Sequence, residues 1–407
     1  MRDALQVRDF RWLFSGQAAS SIGDTVFPVA VSVLVLDRGG TAGDLGLVLA
    51  ARFVAIVAFA LLGGVWADRL PRVRVLVSAD LLRFAAVTGL LLASSTAPPV
   101  WLLALLVFVV GSGEAFFRPA YGALLPTVLP PEHLAKGNAL SSSVAQLSQI
   151  IGPGAGGLLI AWAGPQAGFA LDAVLFLTSA LILTRVREPA AVPRVHDNVL
   201  REIRGGVRAV LERRWIASCL AMFTVNMLCV VAPVQVLLPI LVRDRTGEAA
   251  AYGVVLAVGA VGGLAGAFAG GHWRRDGRGR TAVLALSVFA LQPVMLLVEA
   301  PLPALCATWV MTGAGIGFFI VTWETALQTD VPRDLLARVV SLDWMATFAL
   351  FPVGLALTGP AVEAFGRTPV LLFAVAVALL PISLVLRVPG VRDFSSRDLV
   401  AADVVAA

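Results

Sequence analysis

The sequence predicts an all-α polytopic membrane protein, with twelve transmembrane helices forming two pseudo-symmetric six-helix bundles. Three observations carry that prediction. Of 407 residues, 58% are hydrophobic and only 14% are charged, whereas a soluble domain needs roughly 25% charged residues to cover its surface. The apolar residues fall in runs of about 20, the length that crosses hydrocarbon with each backbone group bonded inside its own helix. Basic residues collect in alternate connections between those runs.

Taken in order, the runs lie near 12–36, 44–67, 74–95, 100–122, 136–163, 168–186, 215–241, 250–272, 281–299, 303–325, 338–364 and 368–387. A secreted protein would show one such run behind a basic start; here they continue through the chain. The connections at Arg69–Arg74, Lys136, Arg185–Arg214, Arg274–Arg280 and Arg333–Arg338 hold most of the basic charge, and both termini share it. The intervening ones hold only Arg38, Arg243, Arg245 and Arg367. Positive charge stays on the cytoplasmic side, which predicts cytoplasmic termini and an even number of spans.

The longest polar connection ends in VLREIRGGVRAVLERRW, with apolar residues at helical spacing beside a basic face. This predicts an interfacial helix on anionic lipid. The predicted organisation is an N-terminal bundle over 1–187, a central cytoplasmic loop with its amphipathic helix over 188–214, a C-terminal bundle over 215–388 and a cytoplasmic tail over 389–407. The net charge of +5 is not gathered on a soluble module, so nucleic-acid binding is not expected. Cys219, Cys229 and Cys306 lie scattered in apolar segments, as packing residues do, without metal-ligand spacing.

The two halves echo each other. Gly46–Asp68 aligns without gaps on Gly253–Arg275, an offset of 207, and both stretches contain G-x-VLA and GG-x-W. LPPEHLAK (129–136) pairs with VPRDLLAR (331–338) at an offset of 202. Two echoes at similar offsets indicate a duplicated six-helix unit, an architecture that places a substrate site between halves near the bilayer midplane.

Two motifs then point to a family. GGVWADRLPRVR (63–74) carries Gly64, Asp68, Arg69 and Arg72 at the positions of G-x-x-x-D-R-x-G-R-R, with Pro71 at the second glycine and Val73 interrupting the basic pair. GPGAGG (152–157) supplies Gly152, Pro153, Gly156 and Gly157 as G-P-x-x-G-G. With the six-plus-six layout and the long middle loop, the chain resembles the major facilitator superfamily over essentially its whole length. Its start, VRDFRWLFSGQAASSIGD (7–24), resembles the branch of macrolide and enterobactin exporters. The resemblance implies that Asp68, with Gly64 allowing close approach, meets the eleventh helix near Arg338 and latches the outward-facing state. The alternative is that Arg69, Arg72 and Arg74 only fix topology. Pro153 is expected to kink the fifth span, either for packing alone or as a hinge.

Ionisable residues at membrane depth are functional candidates. Asp24 lies mid-span in SSIGDTVF; it either exchanges a proton or is a structural carboxylate satisfied by serines or an arginine. Arg52 and Arg83 are its candidate partners, and Asp80 stands one turn from Arg83. Glu114 and Arg118, four apart in the favourable order, form a local pair or line the cavity. Asn138, Ser142, Gln146 and Gln149 make a polar stripe facing protein or a watery cavity. Asn226, Glu324, Gln328 and Asp343 are the second-half candidates.

Function classes narrow accordingly. The only lysine, Lys136, is followed by Gly137 and Asn138, so no phosphate-binding G-x-x-x-x-G-K-[ST] loop exists for an ATP-driven pump. Three scattered histidines offer no clustered catalytic or metal set, so neither enzyme activity nor a cofactor or metal is expected. The reading is a secondary exporter of amphipathic small organic molecules by alternating access, exchanging protons and lying in membrane lipid, monomeric, in a bacterial inner membrane. The alternative is an importer of a small nutrient, against which GPGAGG argues.

Overall fold

The computed structural model describes residues 2–96, 98–188, 199–247, 249–273 and 277–394, with side chains at 2–3, 60–69, 135, 146, 150, 199–205, 249–250, 333–334 and 337 excepted. His196, in the central loop, lies outside the described residues. Two compact units emerge: residues 1–193 with 242–257, and residues 194–241 with 258–407. The first contains α1 (Arg2–Gln6), α2 (Arg8–Asp37), α3 (Ala42–Arg69), α4 (Arg72–Ala93), α5 (Val100–Val128) and α6 (Leu134–Leu183). The second contains α7 (Val199–Glu212) and α8 (Arg214–Asn226), and α9 (Ala232–Thr246) and α10 (Ala249–His272) contribute to both. The second unit continues through α11 (Arg278–Ala285), α12 (Leu291–Leu297), α13 (Leu302–Asp330), α14 (Arg333–Ala349), α15 (Phe351–Phe365) and α16 (Arg367–Val385).

Eleven segments among the described residues are long and apolar enough to cross a membrane. One of them, Lys136–Leu183, has 48 residues, about 70 Å of helix and more than twice a bilayer core. Its backbone leaves the helical region at Gly164 (φ 77°, ψ 171°), dividing it into the fifth and sixth spans. The count is the expected twelve. Pro71, Pro99, Pro301 and Pro332 each stand immediately before a helix, where a fixed φ and a missing N–H cost least.

The duplication is written into the packing of each unit. Gly366 (φ 84°, ψ 162°) adopts the conformation of Gly164 at the 202-residue offset, and only glycine enters that region cheaply. A Cβ on Gly111 of α5 would strike the Arg52 carbonyl of α3, and one on Gly313 of α13 would strike the Gly259 carbonyl of α10. Likewise Gly113 backs onto Ala79 and Arg83, and Gly315 onto Ala285 and Val288. These paired contacts set the register of the helices: Arg52 stands where Gly259 does and Arg83 where the Val288–Phe289 turn does, and the 202-residue offset sets Glu114 against Ile316 and Asp172 against Ala374.

The amphipathic helix forms as α7; Ala209 and Val210 join a buried core with Trp215 and Val339, and Gly206 meets Leu342 and Arg338 of α14. Glycine at 206 lets α14 approach this part of α7. Val207 and Leu211 remain outward.

Candidate functional site

The first unit holds an ionic cluster contributed by five helices. Arg83 of α4 is fully buried and donates to Asp24 of α2 at 3.1 and 3.3 Å. One turn away, Asp80 accepts a second Arg83 nitrogen and also the hydroxyls of Ser20 (3.3 Å) and Ser179. The Arg83 guanidinium lies 4.6 Å from the centroids of both Phe117 and Phe176, a packing that favours a delocalised cation. Arg52 of α3 donates to Glu114 of α5 at 2.8–3.0 Å and stands 3.9 Å from Asp24. Arg118 completes the chain, 2.7 Å from Glu114, with its side chain 58% exposed.

Asp24 is therefore the bridge. It touches both arginine systems, and its side chain is 22% exposed where that of Arg83 is closed off. The pairs proposed from spacing, Asp80 with Arg83 and Glu114 with Arg118, both form, and both of Asp24's candidate partners reach it.

A further acid belongs here that sequence reasoning passed over. Asp172 of α6 is fully buried, and neither of its carboxyl oxygens has a hydrogen-bond partner among the described residues. It faces the α2 backbone at Gly23, where a Cβ would sit 3.6 Å from Oδ1, and Asp24 and Arg52 are the charges nearest to it electrostatically. The available signal was a lone acid in the apolar run GFALDAVLF. The cluster as a whole sets four carboxyl groups (Asp24, Asp80, Glu114, Asp172) against three guanidiniums (Arg52, Arg83, Arg118).

Other candidate residues fall around this core. On α6, Asn138, Ser142 and Gln149 are exposed along one face while Gly137, Ser141 and Ser148 are buried on the other; the Gln146 side chain lies outside the described residues. Gly152 and Gly156 press against Thr25 and Val26 of α2, leaving no room for a Cβ, and the Thr25 hydroxyl donates to the Ser148 carbonyl at 3.0 Å. Pro153 stays within continuous helix, and its carbonyl abuts Gly253. Gly64, Asp68 and Arg69 close α3, and their side chains lie outside the described residues. Arg72, just beyond, lies 3.7 Å from Glu188, which also accepts the Val73 N–H at 3.0 Å.

Among its described residues the second unit has no equivalent cluster. It has instead a cavity of about 380 Å³ between α8, α13 and α14. Aromatic side chains line it, and Asn226 reaches its wall beside the π-helical turn Met227–Val231, donating to the Met222 carbonyl at 3.0 Å. Two acids, Glu324 and Asp343, open onto it, and Asp343 accepts the Trp323 indole N–H at 3.2 Å. Neither the aromatic lining nor its pairing with those acids was visible in the sequence. Among the described residues no group of His, Cys, Asp and Glu has metal-site geometry.

A duplicated twelve-span fold with charges held at membrane depth defines a multi-pass membrane transporter. Known proteins agree. The Major Facilitator Superfamily profile matches residues 13–350. The chain is 30% identical to the multidrug efflux pump Tap of Mycolicibacterium fortuitum, over 91% of this chain and 94% of that protein. It is 24% identical to macrolide efflux protein A of Streptococcus pyogenes, over 86% of this chain and 88% of the relative. Its fold matches the nucleoside transporter NupG with a TM-score of 0.75 at 11% identity, covering 93% of this chain and 99% of that one. A bacterial homologue of the iron transporter ferroportin gives 0.70 at 18% identity, covering 96% and 99%. The chain belongs to the Major Facilitator Superfamily, a family of transporters and not a class of enzymes.

Proposed function

We propose that this transporter is a secondary exporter of amphipathic small organic molecules, working by alternating access as a proton antiporter. Its relatives are named as efflux proteins for macrolides and multiple drugs, and GPGAGG argues for the same direction. The observation that carries proton coupling is the asymmetry of the duplication. At the corresponding positions the second unit has Gly259, the Val288–Phe289 turn, Ile316 and Ala374 where the first has Arg52, Arg83, Glu114 and Asp172. The scaffold therefore does not need these charges, and charges in a membrane interior are too costly to keep without use.

Four carboxyls against three guanidiniums leave one negative charge, which a single proton neutralises. Asp24 is the exchange point, since it alone bridges both arginine systems while remaining partly open. We read Asn138, Ser142, Gln146 and Gln149 as cavity lining, GPGAGG as a packed hinge, and Gly64, Asp68, Arg69 and Arg72 as a latch at the cytoplasmic end. The arginine distribution supports cytoplasmic termini in a bacterial plasma membrane, with bundles over 1–187 and 215–388 joined by the 188–214 loop and followed by a tail over 389–407. A monomer serves this mechanism.

Cells stripped of their own pumps test it. Expression of the chain should lower accumulation of a macrolide, a protonophore should abolish the effect, and Asp68→Asn at equal expression should impair it. Unchanged accumulation would contradict export. Protonophore-resistant export would contradict proton coupling, and full activity of Asp68→Asn would remove the latch.

A further inference from the structure

The second-unit cavity joins two properties that seldom coincide. Its walls are apolar and aromatic, with Phe223, Phe319, Trp323, Trp344 and Phe348 around it, yet two carboxylates open onto it. Among the described residues no arginine, lysine or histidine lines it. Glu324 makes no hydrogen bond or ion pair among the described residues, and Asp343 bonds only to the Trp323 indole, with Glu324 as its charged neighbour. Two acids facing one apolar space without a base set up an uncompensated negative field. The exposed ring of Trp344, stacked at 4.8 Å on the half-buried ring of Phe348, adds an electron-rich face that attracts organic cations.

We propose that this cavity is a binding site for lipophilic organic cations, with the positive centre held between Glu324 and Asp343 and the apolar body laid against Trp323, Trp344 and Phe223. The volume suits a drug-sized ligand. Met222 and Met227 supply walls that re-form around different shapes, and the π-helical turn after Asn226 widens the helix where the cavity meets it, a feature concentrated at functional sites. A neutral or anionic molecule of the same shape lacks the electrostatic half of this recognition. The proposal rests on the exporter reading for its physiological meaning, but binding is measured without transport.

The test is equilibrium binding of tetraphenylphosphonium to the purified full-length protein in lipid nanodiscs, with tetraphenylborate as the anion of the same shape. The wild type should bind the cation and discriminate against the anion. Glu324→Gln should weaken cation binding about tenfold, and the double variant with Asp343→Asn should remove the preference. Glu363→Gln, in the same unit outside the cavity, should change nothing. Because Glu324 has no partner to lose, its amide variant tests the site even if Asp343→Asn, which disturbs the Trp323 bond, fails to fold. Equal binding of both ions, or undiminished cation binding in Glu324→Gln, would overturn the proposal. Charge-selective binding without export would fail the exporter reading and leave the site standing. Gradient-driven macrolide export with charge-indifferent binding would do the reverse.

Discussion

Arg83 and Asp172 show at the residue scale how differently two buried ionisable groups are supported. Arg83 has two carboxylate partners and two aromatic faces, so Arg83→Leu strands Asp80 and Asp24 and should cost about 3–5 kcal/mol, read as a fall in thermal midpoint. Asp172 has no hydrogen-bond partner among the described residues to strand. Asp172→Asn should leave the midpoint within about 0.5 kcal/mol of wild type while lowering proton-gradient-driven flux at least about tenfold, ~1.4 kcal/mol in the barrier. A large loss of stability with unchanged flux would make Asp172 a structural residue.

The sequence made Asp24, Arg52 and Arg83 legible because a charge in an apolar run stands out. Their pairing across α2, α3 and α4 was legible only as a set of candidates, since helix spacing fixes neighbours within one helix and not between helices. Asp172 was overlooked because nothing near it in the chain suggests a partner, and among the described residues its carboxyl oxygens have no hydrogen-bond partner.

At the scale of elements, close approach depends on glycine. Gly259 and Gly263 of α10 meet Gly313 and Gly317 of α13 backbone to backbone, leaving no space for a Cβ at 313 or 317. In lipid, where apolar side chains gain nothing by meeting each other, such contacts supply the packing. Gly317→Leu should therefore prevent a monodisperse protein from accumulating, whereas Leu264→Val, on an exposed position of α10, should be silent by size-exclusion chromatography. Equal behaviour of the two would contradict a glycine-dependent interface. The twelve spans were readable from hydropathy. The repeat was readable from two echoes, but its packing register was not, because the matching glycines sit among residues that do not resemble each other.

The whole molecule is a duplicated scaffold with unequal contents. The first unit keeps a buried ionic cluster and the second an aromatic cavity with two acids, on helices that meet at corresponding glycines. This division suggests that proton chemistry and recognition of the organic substrate are vested mainly in different copies of one fold. A ligand shifts such a system only through its differential affinity for the states it connects, so a proton that rearranges Asp24 between Arg52 and Arg83 needs only to bias one unit's packing.

The central claim is that Asp24 exchanges the coupling proton, and the most direct measurement is substrate flux in proteoliposomes under an imposed pH gradient, wild type against Asp24→Asn. The amide keeps the shape of the protonated acid and the hydrogen bonds of its carbonyl oxygen, but cannot release a proton. The account expects gradient-driven flux in the wild type and none above background in Asp24→Asn, with substrate binding retained. Gradient-driven flux that persists in Asp24→Asn, or wild-type flux indifferent to the gradient, would contradict it.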